Sequence, residues 1–168
     1  MRDRKAHCVD GALFAAAAMS FHGAPPLIME LLAWRDDDHF LAVYKRDGFY
    51  GAVAKSNFVG LRSREPIYRT LRELALSYFE SYYNMEKDKS LRGYSVTLDL
   101  RKWAFTHWTV EDERLEEIVD AVTALKHTQL MTPAQVAQLL PIDERTYQAG
   151  MLGANPDGIY YPDKEKKQ

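Results

Sequence analysis

The stretch His39-Phe-Leu-Ala-Val-Tyr-Lys-Arg-Asp-Gly-Phe-Tyr-Gly-Ala-Val-Ala-Lys55 decides the fold. Two apolar, β-prone segments, 39–45 and 49–55, flank Asp47-Gly48, a dipeptide suited to the positive φ angles of a two-residue hairpin. If those two residues form the loop, Arg46 faces Phe49, and counting down the ladder sets His39 opposite Ser56. A loop one residue longer sets it opposite Asn57. Upstream, residues 26–34 form an almost continuous apolar run interrupted by Glu30, as in a strand buried on both faces. Asp36-Asp37-Asp38 separates that run from His39 as an acidic turn. An antiparallel sheet follows from these pieces.

Ahead of the sheet, residues 6–21 are rich in alanine and end at Gly23 and Pro25-Pro26, so they read as a helix with a clear stop. Cys8, Ala12, Ala16 and Met19 share one face, small enough to press against the strand that starts at His39. Downstream, Pro66 fits the first turn of a helix reaching about residue 83, with Ile67, Leu71, Leu74, Ala75, Tyr78, Phe79 and Tyr82 as its stripe. Residues 93–100 suit a strand. Residues 110–125 suit a helix that turns Leu115, Ile118, Val119 and Val122 to one side. Thr132-Pro-Ala-Gln135 is a capping box for a short helix ending before Pro141. The expected fold is α+β: an N-terminal helix on an antiparallel sheet, followed by a helical C-terminal half. One domain is expected over 1–162, with 163–168 as a disordered tail.

Composition sets the outer limits. With 168 residues, 46% hydrophobic, the chain can bury a sizeable core. A net charge of −2 gives no overall field for nucleic acid or an acidic membrane, and no apolar run is long enough to span a bilayer. The single cysteine excludes an internal disulfide and thiolate-rich zinc sites. Three consecutive acids at 36–38 cannot all point one way, so neither a metal nor another cofactor is expected. Arg62, Arg64, Arg69 and Arg72 read as a solvated helix edge that pairs with Glu65 and Glu73. A cytoplasmic location is the expectation.

The chemistry centres on Cys8. A thiol in the first turn of a helix faces unpaired N–H groups and the positive end of the dipole, which favour thiolate and can hold an oxyanion. A thiol nucleophile also needs a base, and the base needs an orienting partner. His39 is the candidate base. The hairpin geometry offers Asn57, or Ser56 in the shorter-loop register, as the third residue.

The run from Arg4 through Cys8 to Gly23, followed by His39 to Gly51, resembles the nucleophile helix and histidine strands of the transglutaminase-like superfamily, which shares the papain-like fold. The resemblance covers roughly residues 4–60. The remainder, with Arg62-Ser-Arg-Glu-Pro66 and Glu73 to Phe79, is similar to a less characterised bacterial branch. It implies a cysteine-dependent hydrolase or acyltransferase acting on a peptide or protein amide, with Cys8, His39 and Asn57 as catalytic residues. Two departures stand out. The family usually carries Asp as third member, whereas this chain has Ala54-Lys-Ser-Asn57. Family members also have helical structure ahead of the cysteine, and only seven residues precede Cys8, so an incomplete start is an expectation. Both departures favour the alternative, an inactive domain that binds a peptide or protein in the same cleft.

Overall fold

The computed structural model of the protein describes residues 6–102, 108 and 115–161. Its centre is a seven-stranded antiparallel sheet built on β1 (Leu27–Ala33), β2 (His39–Arg46) and β3 (Phe49–Val53). The hairpin has the two-residue loop: Arg46 faces Phe49 and Ala42 faces Val53. Asp47 and Gly48 take φ of 52° and 88°, the left-handed pair that such a turn requires. β3 ends at Val53, so the ladder stops before Ser56 and Asn57.

β4 (Arg64–Tyr68) borders β3, while β5 (Leu91–Ser95), β6 (Leu98–Asp99) and β7 (His127–Gln129) extend the far side in the order β4-β3-β2-β1-β5-β7, with β6 also on β1. The helix expected to start at Pro66 is therefore a strand there. Pro66 lies in an edge strand, where a missing N–H costs no ladder bond. The helix starts later, as α2 (Leu71–Leu76), where the Thr70 hydroxyl accepts from the Glu73 N–H at 3.1 Å. Ile67, assigned to the buried stripe from sequence, is 66% exposed, whereas Leu74, Ala75, Tyr78 and Tyr82 are buried as expected.

Side chains alternate across β1 and β2. Ile28, Phe40 and Ala42 join Val9, Ala12, Ala15 and Ala16 of α1 (Cys8–Phe21) and Ile118 and Val122 of α3 (Leu115–Thr123) in one core. Met29, Leu31, Leu41 and Val43 join Leu74, Tyr78 and Tyr82 in a second core on the opposite face. The described part of the expected 110–125 helix runs from Leu115, and residues 110–114 lie outside the described residues. α4 (Pro133–Val136) carries the expected capping box, and α5 (Glu144–Met151) was not anticipated. With β4 to β7 in it, the second half is mixed rather than helical. The tail at 163–168 lies outside the described residues.

Ala16 is fully buried in the α1 core. Ala16→Leu should overpack it and cost about 1–3 kcal/mol in urea unfolding. A stability equal to wild type would contradict the packing of α1 on the sheet.

Candidate functional site

The first turn of α1 and the start of β2 meet at one end of the sheet. Asp10 closes the helix start by accepting a hydrogen bond from the His7 N–H at 2.7 Å. Cys8 lies within this turn, its Sγ 3.7 Å from the Asp38 carbonyl oxygen. A cleft of about 760 Å³ opens here, and both Cys8 and His39 line it. Asp36, Tyr82 and Asn57 are among its other walls.

The electrostatics differ from the sequence expectation. Burial pushes the Cys8 thiol above the ordinary cysteine range. The Phe40 N–H acts the other way, and the Asp37 carboxylate adds to the rise. The helix N-terminus therefore does not produce a resting thiolate. His39 is 4% exposed, and burial is the main cause that brings its pKa down to about 4, with the Leu61 carbonyl opposing and the Arg64 cation assisting. At neutral pH the resting site is a neutral thiol and a neutral imidazole.

The imidazole is oriented from an unexpected quarter. His39 Nε2 lies 2.8 Å from the Leu61 carbonyl oxygen. A carbonyl only accepts, so Nε2 carries the proton and Nδ1 is left as the basic nitrogen. Tyr78 and Tyr82 pack edge-on against the ring, with centroids 6.3 and 6.5 Å away. By strand alternation His39 shares a face with Leu31 and Leu41, the face opposite α1. Cys8 and the imidazole thus approach the cleft from either side of the start of β2. Among the described residues no hydrogen bond joins them.

Asn57 does not orient His39. Its Nδ2 donates to the carbonyl oxygens of Asn155 at 2.9 Å and Gly158 at 3.4 Å, and its Oδ1 accepts from the Asn155 N–H at 2.8 Å. The Ser56 hydroxyl accepts from the Phe58 N–H at 3.0 Å. Beyond Val53 the chain leaves the ladder, so a count along the hairpin no longer predicts which side chain meets the histidine. The orienting group is the main chain at Leu61.

That main chain is held by Arg64, which the sequence placed on a solvated helix edge. Its guanidinium donates to the carbonyls of Gly60 at 2.6 Å and Arg62 at 3.0 Å, and to the Ser77 hydroxyl at 3.1 Å, while lying 3.9 Å from the Tyr78 ring centroid. It also donates to the Ser77 carbonyl at 3.2 Å, at the end of α2. One side chain thereby fixes the loop that carries the Leu61 carbonyl and satisfies an orphan carbonyl of α2. A lone Arg before a Glu-Pro pair carries no sequence signal for this role.

The acidic turn is folded inward. Asp36 accepts from the Ser90 hydroxyl at 2.6 Å, and Asp38 from the Ala33 N–H at 2.6 Å. Burial raises both carboxyls to about 6. Among the described residues no three His, Cys, Asp or Glu side chains gather as a metal site, and no helix is long and apolar enough to cross a membrane.

A carboxyl whose folded pKa is raised binds more protons folded than unfolded, so stability falls as pH rises through about 4 to 6. Asp36→Asn keeps an acceptor for Ser90 without the buried charge. It should stabilise the fold by about 1–2 kcal/mol at pH 7 and by much less at pH 4, where Asp36 is protonated in the folded state and no buried charge remains to be removed. Urea unfolding at the two pH values checks this, and an equal effect at both would contradict it.

No protein-family model matches this chain, and no curated protein matches it either.

Proposed function

We propose that the protein is a cysteine-dependent hydrolase or acyltransferase of the transglutaminase-like kind, acting on an amide in a peptide or protein. One observation carries the reading: the Cys8 thiol and the His39 imidazole line one cleft, and the Nε2–H···O=C bond to Leu61 leaves Nδ1 as the imidazole's base. In this mechanism Nδ1 takes the thiol proton as Sγ attacks the amide carbonyl carbon. The first-turn N–H groups of α1 stabilise the oxyanion that forms. His39 then returns the proton to the amine nitrogen as the C–N bond breaks, leaving a thioester on Cys8. Water, or an acceptor amine, attacks that thioester and gives up its proton through His39 to regenerate the thiol. The steps call on no metal or cofactor. A cytoplasmic location suits a lone thiol that must stay reduced.

A second reading, an inactive domain that binds a peptide or protein in this cleft, is favoured by the resting electrostatics. Burial holds the thiol protonated and weakens the imidazole as a base. Incubation with a mixture of glutamine-containing peptides separates the two by mass spectrometry. The enzyme reading predicts released ammonia and deamidated or cross-linked peptide, abolished by Cys8→Ala. Retention of a peptide by both wild type and Cys8→Ala, with no released ammonia, would establish the second reading.

A further inference from the structure

The carboxamide that sequence reasoning assigned to catalysis has another use. Residues 155 and 157–160 form part of the wall of the cleft that Cys8 and His39 line. They reach it from the end of α5, where Gly153, with φ of 75° and open space around its Cα, turns the chain back. Apart from a single 3-10 turn at Pro156–Gly158, this segment has no regular structure, and among the described residues it pairs with no strand. The Asn155 side chain closes that turn by accepting from the Asp157 N–H at 3.2 Å.

Asn57 fastens the segment to the body of the protein. Its one side chain makes three hydrogen bonds to the main chain at 155 and 158, using both donors and an acceptor. The approach is close: a Cβ at Gly158 would lie 3.3 Å from Asn57 Nδ2. These are neutral bonds at half-exposed or exposed positions, the kind that open locally without unfolding the core.

We propose that residues 155–160 are a strap along the Cys8 cleft, latched by Asn57 and hinged at Gly153, and that the strap decides what size of reactant reaches the thiol. With the latch closed, the cleft admits small electrophiles or a slender side chain. With it open, a polypeptide segment can lie along the first turn of α1. Asn57 is thus a positioning residue for the strap. The inference concerns access to Cys8 and is read by alkylation, so it stands or falls apart from amide turnover.

The experiment compares alkylation of Cys8 at pH 9 by iodoacetamide and by a polymer-linked maleimide in full-length wild type, Asn57→Ala and Asn57→Asp. Asn57→Asp keeps the shape but replaces both donors with an acceptor. Gly158→Val, which crowds the Asn57 carboxamide from the other side, covers the case in which the Asn57 variants do not fold. Folding is confirmed by circular dichroism, and strap opening by amide hydrogen exchange at 155–160. Opening should raise the rate with the bulky reagent by at least about tenfold and the iodoacetamide rate by less than about threefold, with faster exchange confined to the strap. Faster strap exchange with an unchanged ratio of the two rates would overturn the gating role. Unchanged exchange in folded variants would overturn the latch.

Discussion

His39→Gln should lower any Cys8-dependent turnover by at least about a hundredfold while the protein stays folded, because general-base assistance contributes on the order of 10²–10⁴ in rate. Glutamine suits the test because its amide N–H₂ can still donate to the Leu61 carbonyl, which His39 meets at 2.8 Å. The buried hydrogen bond then survives and only the basic nitrogen is lost. The comparison is kcat on an activated ester, with thermal melts as control. Loss of turnover together with loss of folding would speak only to packing against Tyr78 and Tyr82, so an unchanged melt is part of the expected result. An unchanged kcat in a folded His39→Gln protein would remove His39 from the mechanism.

The largest stability effect is expected on the far side of the sheet. Glu30, in the middle of β1, is 1% exposed. Its carboxylate lies 2.9 Å from His127 Nε2 and accepts from the Thr123 hydroxyl at 3.2 Å, tying β1 to β7 and to the end of α3. The Ser95 hydroxyl accepts from the Glu30 N–H at 3.0 Å. His127→Ala would leave a buried carboxylate with one partner removed, at a cost of about 3–5 kcal/mol. Glu30→Met combined with His127→Ala should recover much of that loss, since it removes the orphaned charge as well. Urea unfolding of the single and double variants measures both values. A single-variant loss below about 1 kcal/mol would mean that water reaches the carboxylate.

Elements whose reason is local could be read directly. The Asp47-Gly48 turn, the stop of α1 at Gly23 and the capping box of α4 each depend on a few neighbouring residues. The same is true of β1, recognisable by an apolar run that only Glu30 interrupts. What failed depended on distant partners. Pro66 is compatible with a helix start and with an edge strand, and only the neighbouring Tyr50 to Ala52 segment decides between them. α2 ends at Leu76 without a glycine or proline, because Arg64 takes the Ser77 carbonyl from outside the helix. β7 has three residues, too few for any periodicity. At the site, the cysteine and histidine were visible as residue types in a spaced pattern. The group that orients His39 was not, because it is a main-chain carbonyl without an identity in the sequence. Nor could the sequence show that burial outweighs the helix dipole at Cys8, since burial there is made by β2 and residues far along the chain.

The central claim is that Cys8 is an acyl-accepting nucleophile served by His39. Its most direct test is rapid mixing of the protein with a p-nitrophenyl ester, with nitrophenolate release followed beside intact mass. The account predicts a burst equal to the protein concentration, a mass increase of one acyl group mapped to Cys8, and steady release of acid thereafter. Cys8→Ala should lose the burst, and His39→Gln should slow both phases. A wild-type protein that shows no acyl group on Cys8, or that forms a thioester which persists without turnover, would contradict the account.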